Sequence, residues 1–243
     1  MWLAACRAWV ETLFPAQSNI WMMQMTLNIK VYRSLKHRII TNQLEAGKQL
    51  YEKEFMQEYG IGRSPMRKIF HDLQRDGLLE ILPKLGTRIV SISLKKISEM
   101  VQLRRELEGF AAELATRHIT PHQLEGFRQL LDDAATIDND DPAVLTKMSE
   151  IDMKIHQIIY DSTYNEELNT ILSVLLDKMT MHWFQVGFSG GNNLEHYKEP
   201  FDVLEMLYRS MIKGDAAESK RIMRSHVNQY AEMIKKQLFK RNV

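Results

Sequence analysis

Helix-breaking residues recur between positions 47 and 86, and they limit the size of every element in that stretch. Gly47, Gly60, Gly62, Pro65, Gly77, Pro83 and Gly86 leave no run long enough for more than about three helical turns. From Leu94 onward the pattern reverses. Apolar residues follow a helical period, and the breaks fall far apart: at Pro121, the Asp138–Pro142 stretch, Asn165, the Gly190-Gly191-Asn192-Asn193 run and Gly214-Asp215. Such a chain is expected to be mainly α, with a small mixed module ahead of an all-α helical bundle.

The local patterns give the elements. Lys30–Asn42 reads as an amphipathic helix with Val31, Leu35, Ile39 and Ile40 on its apolar side and Arg33, Lys36 and Arg38 opposite. Glu52–Tyr59 makes a short second helix, and Gly60 suits the left-handed position that follows a helix end. Ser64 is expected to cap a third helix with Pro65 at its first position and Met66, Ile69, Phe70 and Leu73 as its buried stripe. Leu78–Leu82 and Thr87–Ser93 flank the turn Pro83-Lys84-Leu85-Gly86, which predicts a hairpin. Later helices are expected at 94–118, 121–136, 142–162, 165–187, 195–213 and 216–239. The segment Met1–Met25 holds three of the four Trp and lacks a clear period. It is expected to be a poorly ordered extension upstream of the natural start, with Met22, Met23 or Met25 as the true first residue. The predicted domains are therefore this extension (1–25), a mixed module (26–93) and a helical domain (94–243).

Charge separates the two domains. From Asn28 to Lys95 there are 13 Lys and Arg against 7 Asp and Glu; from Lys96 to Val243 there are 18 against 23. The basic module is the natural partner of a polyanion, because its cations displace counterions from phosphates. An α-helix fits the DNA major groove and reads base edges from its N-terminal end. Arg63 and Arg67 stand at that end of the third helix, Ser64 lies between them, and His71, Gln74 and Arg75 continue the outward face. Lys53, at the start of the second helix, can reach the backbone, while Lys84, Gly86, Thr87 and Arg88 in the hairpin are placed to follow a minor groove or phosphate. The proposition requires Arg63 and Arg67 to face solvent. The single cysteine, Cys6, cannot close an internal disulfide and suits a reducing cytoplasm, and no apolar run reaches the roughly 18 residues that span a bilayer.

With these residues in place, positions 30–93 resemble the winged helix-turn-helix of GntR-type bacterial regulators. The matching stretches are Leu44-Glu45-Ala46-Gly47, Tyr59-Gly60-Ile61, Arg63-Ser64-Pro65-Met66-Arg67, Asp76-Gly77-Leu78-Leu79 and Gly86-Thr87. The resemblance implies that Lys53, Arg63, Ser64, Arg67 and Gly86 stand where the family contacts double-stranded DNA, and that a homodimer reads a near-palindromic operator. The family usually carries a small hydroxyl residue where this chain has Gly62. Residues 94–239 resemble the helical effector domain of the FadR-type branch, whose members often hold a metal ion beside a small carboxylate ligand. Arg104 then falls where the family has an effector-facing arginine; the alternative is an exposed helix pair with Glu108.

Asp152 and His156, spaced i, i+4, project from one helical face and could share an ion of Zn, Ni or Mn with His226 on the last helix. The family's further histidine position is occupied here by Leu204, and neither His182 nor His196 stands at its register. The sequence thus describes a ligand-responsive transcription regulator, more readily a repressor than an activator, and not an enzyme. A metal-dependent enzyme using Asp152, His156 and His226 is the alternative, but no nucleophile motif or phosphate loop accompanies the three. A helical scaffold that binds only proteins is a third reading, and it leaves the basic module unexplained.

Overall fold

The fold was analysed in a computed structural model, which describes residues 15–91, 93–138, 140–141, 143–187 and 195–241, with side chains omitted at 15–24, 186–187, 195–199, 235 and 237–241. Residues 1–14 of the proposed 1–25 extension and the glycine-asparagine run at 190–193 lie outside the described residues, whereas residues 15–25 of that extension are helical. The chain divides into two units near Val90, with residues 40–42 grouped with the second.

The first unit contains α1 (Pro15–Ile40), β1 (Gln49–Leu50), α2 (Glu52–Tyr59), α3 (Arg63–Arg75), β2 (Leu79–Leu82) and β3 (Gly86–Ile89). Helix α1 begins fifteen residues before the expected Lys30. The three strands form an antiparallel sheet in the order β1-β3-β2, with Leu50 and Ile81 both opposite Thr87. The hairpin was legible, but β1 was not, because two residues carry no period. The core is supplied by the apolar stripes read from the sequence: Val31, Leu35 and Ile39 of α1 and Met66, Ile69, Phe70 and Leu73 of α3 are buried. Phe70 meets Phe55 of α2 with ring centroids 5.9 Å apart.

The turn between α2 and α3 fixes how α3 is presented. Gly60 takes φ 63°, the left-handed conformation in which a side chain is strained. Gly62 caps α3 with φ −74° and contributes no side-chain hydrogen bond, and the Met66 N–H donates to the Gly62 carbonyl at 3.2 Å. Ser64 is therefore not the cap: the helix starts earlier, and Pro65 sits at its third position. Pro65 is tolerated there because the first helical N–H groups have no intrahelical acceptor to lose. Gly60→Ala should cost about 1–2 kcal/mol for its forced left-handed backbone, whereas Gly62→Ala, at a φ that alanine adopts freely, should cost about 0.5 kcal/mol. Urea unfolding of the two variants checks this, and equal midpoints would contradict it.

The second unit is a helical bundle of α4 (Leu94–His118), α5 (Pro121–Thr136), α6 (Val144–Asp161), α7 (Glu166–Gly187), α8 (Glu195–Ile212) and α9 (Ala216–Arg241). The expected breaks act as caps. Thr120 and Gln123 form a reciprocal capping box with Pro121 at the first position of α5. The Asn165 side chain accepts from the Leu168 N–H at 3.0 Å, and Asp215 accepts from the Glu218 N–H at 3.0 Å. Helix α9 runs along α4 and α8. Ala111, Ala112 and Ala115 are fully buried on α4, and a Cβ built on Gly109 would lie 2.9 Å from the Arg224 side chain, so small residues allow the close approach of α4 and α9. Phe127, Ile155, Ile159, Tyr160, Leu172 and Leu207 fill the middle of the bundle.

Candidate nucleic-acid interface and candidate metal centre

Helix α3 turns its stripe inward and its cations outward. Arg63, Ser64, Arg67, Lys68, His71, Gln74 and Arg75 are exposed, as the DNA-binding proposition requires. The N–H groups of Arg63 and Ser64 precede any carbonyl that could pair with them inside the helix, so the end of α3 adds partial positive charge to the guanidinium groups. Arg63, Lys53, Lys68 and Lys84 form no ion pair among the described residues. Arg67 leans on Glu52 of α2 at 3.8 Å while remaining 55% exposed. This weak, solvated contact orients the side chain without neutralising it. His71 Nδ1 lies 3.3 Å from the Gln74 side chain on the same face.

The wing needs one correction. Lys84 and Gly86 are exposed, but Thr87 is buried, because β3 alternates and its side chain at 87 falls on the inner face. Only the Thr87 backbone is available at the wing. Arg88 points outward and is paired with Glu80 at 2.7 Å. Gly86 takes φ 93°, and a Cβ there would stand 2.9 Å from Gln49 Nε2, which itself donates to the Leu85 carbonyl at 2.7 Å. The glycine keeps the wing tip bare and held against β1.

In the second unit the fold brings Asp152 and His156 of α6 beside His226 of α9. His156 Nε2 lies 3.3 Å from His226 Nε2 and 3.8 Å from Asp152 Oδ1, and His226 Nε2 lies 3.5 Å from the same oxygen. Two imidazole nitrogens facing each other beside a carboxylate either share one proton or aim their lone pairs at one cation. Bonds of about 2.0–2.1 Å in tetrahedral array place ligand atoms about 3.4 Å apart, so the triangle suits one face of such a site. Among the described residues these three form the group with metal-ligand spacing. Leu204 is fully buried in the bundle core and supplies no donor. His182 is buried with Nδ1 3.4 Å from Gln185, and burial lowers its pKa. The side chain of His196 lies outside the described residues.

Glu108 completes the cluster, and the sequence reading missed its part. Both Arg104 and Glu108 are buried, not an exposed pair, and Arg104 Nε donates to Glu108 at 2.5 Å. The other carboxylate oxygen stands 3.1 Å from His156 Nδ1 and has no well-aligned hydrogen bond of its own. The Tyr160 hydroxyl also lies 3.3 Å from that Nδ1; a proton on Nδ1 would face the Glu108 carboxylate and leave the Nε2 lone pair toward the space between Asp152 and His226. Burial opposes charge on every group here. The facing charges outweigh it: Glu108 is held far below the usual carboxylate range by Arg104 and His156, and His156 is raised by Glu108 and Asp152. The i, i+4 spacing of 104 and 108 was visible; its burial was not, since a charged pair on a helix ordinarily faces water. Arg104, Thr180 and Tyr230 line the same recess, whose side chains leave no room for a water molecule.

Residues 27–89 match the family described as bacterial regulatory proteins, gntR family, and residues 99–229 match the FCD domain. The chain is 24% identical over 209 residues to the uncharacterized HTH-type transcriptional regulator YdhC of Bacillus subtilis, covering 85% of this chain and 90% of that protein. It is 24% identical over 224 residues to the HTH-type transcriptional repressor RspR of Escherichia coli, covering 86% and 89%. The solved structure of Escherichia coli McbR/YncC shares the fold with a TM-score of 0.77 at 18% identity, covering 87% of this chain and 98% of that one. These names are those of transcription regulators, not enzymes, and no described helix is long and apolar enough to cross a membrane.

Proposed function

This chain belongs to the gntR family of bacterial regulatory proteins, with an FCD domain following its DNA-binding module, and from that premise we propose that it is a cytoplasmic repressor controlled by a small organic acid. Residues 26–93 bind DNA, and residues 94–243 bind the effector and form the dimer. The observation that carries the proposal is the exposed start of α3, where Arg63, Ser64 and Arg67 surround a helix end with free N–H groups. Arg63 and Arg67 address base edges or phosphates in the major groove, His71 extends that face, Lys53 holds the backbone, and Lys84, Gly86 and the Thr87 backbone follow the adjacent strand. A dimer places two copies of α3 on a near-palindromic operator.

In the helical domain, Asp152, His156 and His226 would hold a Zn, Ni or Mn ion, with Glu108 orienting His156. A bound divalent cation would draw an acid's carboxylate into the recess, where Arg104 adds its charge. Because the recess is closed, an acid enters only an arrangement in which the side chains have parted. That gives it different affinities for two arrangements of the domain, which is what a change in operator affinity requires. The effect on DNA is thus a population shift rather than a direct contact.

Two measurements test this. Binding to a duplex from the chain's own upstream region should weaken steeply with salt and be relieved by an organic acid; salt-insensitive binding would count against it. Protein isolated without chelator should retain about one divalent ion per chain, and His226→Ala should lower the affinity roughly 100-fold or more while the helical circular dichroism persists. A wild-type protein that fails to retain added Zn(II), Ni(II) or Mn(II) in equilibrium dialysis would remove the metal from the proposal and leave the DNA reading intact.

A further inference from the structure

The closed recess at His156 and His226 adjoins a second cavity in the same helical unit, and the two share Asp152 and Tyr230. The second cavity is a small cleft of about 20 Å³, room for about one water molecule, and is lined by Met148, Ser149, Trp183, Pro200, Phe201 and Met233 besides the shared pair. Its chemistry differs from that of the recess. The recess gathers a guanidinium, two imidazoles, a carboxylate and a threonine hydroxyl. The second cavity presents two thioethers, an indole, a phenyl ring and a proline, and its polar groups are the Ser149 hydroxyl, the Asp152 carboxylate and the Tyr230 phenol. Trp183 and Tyr230 lie with ring centroids 4.9 Å apart, so one wall is an aromatic surface. No lysine or arginine lines it among the described residues.

From the chemistry of this two-part lining we infer that the effector is an amphipathic organic monoanion: a carboxylate head directed to the recess, and an uncharged apolar body that parts Trp183, Phe201, Met148 and Met233 and packs against them. The inference rests on the effector reading proposed above and narrows it. A second carboxylate on the ligand would find no lysine or arginine to pair with among the described residues lining the second cavity. A chain of hydroxyls would lose its water and find, among the described lining residues, just Ser149, Asp152 and the Tyr230 phenol as partners. Flat aromatic bodies suit indole and phenyl walls, and thioethers adapt to branched ones. Polyhydroxy acids and tricarboxylates are thereby disfavoured, although both carry the head that the recess would accept.

Trp183 supplies the readout, since the other tryptophans, Trp2, Trp9 and Trp21, lie outside the helical domain. The full chain, with Zn(II) supplied, is titrated with phenylacetate, isocaproate, gluconate and citrate, and tryptophan emission is followed, with Trp183→Phe as the control that assigns the signal. Phenylacetate and isocaproate should bind at least about tenfold more tightly than gluconate or citrate, and Met233→Gln or Phe201→Gln should weaken them about tenfold. Met233 is only half-buried, so its variant tests the wall even if the Phe201 variant fails to fold. Tighter binding of gluconate or citrate overturns the inference and leaves the effector reading standing. Phenylacetate binding that ignores both wall variants also overturns it. If no acid of either class binds or releases the operator duplex, the effector reading itself fails, and the inference with it.

Discussion

Arg63→Ala and Arg67→Ala together should abolish specific operator recognition while leaving the protein folded. Each well-formed bidentate contact from arginine to a base contributes about 1–3 kcal/mol of discrimination, so the pair should cost about 2–6 kcal/mol, a loss between roughly thirtyfold and more than ten-thousandfold in affinity. Stability should change little. Arg63 makes no ion pair among the described residues, and Arg67 has only its exposed 3.8 Å contact with Glu52, a kind of pair that contributes little. Fluorescence anisotropy on the operator duplex and on a scrambled duplex, at one salt concentration, separates the effects. Specific binding should collapse toward the scrambled value. Lys68→Ala, by contrast, should weaken both duplexes alike and lower the salt slope by about one. Specific binding that survives the double substitution would displace α3 from the groove, whatever the family resemblance implies.

Periodicity is what made the exposure of Arg63 and Arg67 legible. Met66, Ile69, Phe70 and Leu73 recur at helical spacing, so the opposite face carrying Arg63 and Arg67 could be assigned before any coordinates. The bundle helices were legible for the same reason, and their ends were marked by residues whose side chains cap: Thr120, Asn165 and Asp215. What escaped was set by tertiary context. The first turn of α3 was misplaced because a serine before a proline is a stronger local signal than a glycine, although Gly62 is the cap. Thr87 was read as reaching outward because a wing residue of that type suits a phosphate. The pleat decided otherwise, since a strand of four residues with Ile89 inward must also turn Thr87 inward. Asp152, His156 and His226 could be nominated together only through the family resemblance, as seventy positions separate the two histidines and no local pattern links them. Glu108 escaped because the same i, i+4 spacing describes both a solvated surface pair and a sealed one.

That last difference is one of magnitude, and it can be measured. An exposed Arg–Glu pair on a helix contributes a few tenths of a kcal/mol, whereas removing one partner of a buried pair typically costs about 3–5 kcal/mol, because the remaining charge is stranded without water. Arg104 is 3% exposed and Glu108 is fully buried. Glu108→Ala should therefore destabilise the helical domain by about 3–5 kcal/mol, and Arg104→Met with Glu108→Leu should recover most of it, since apolar side chains of similar volume carry no desolvation cost. Acid provides an independent check with a definite sign. Burial alone would raise the Glu108 pKa, but the Arg104 and His156 charges hold it below its ordinary value of 4.5, so its contribution is complete above that value and is lost as the pH falls below it. Against the doubly apolar variant, the wild-type domain should lose stability more steeply under acid. Urea unfolding at neutral and acid pH reads both effects. A Glu108→Ala variant as stable as the wild type would show that water reaches Arg104, and with that the sealed geometry that orients His156 toward Asp152 and His226 would fall.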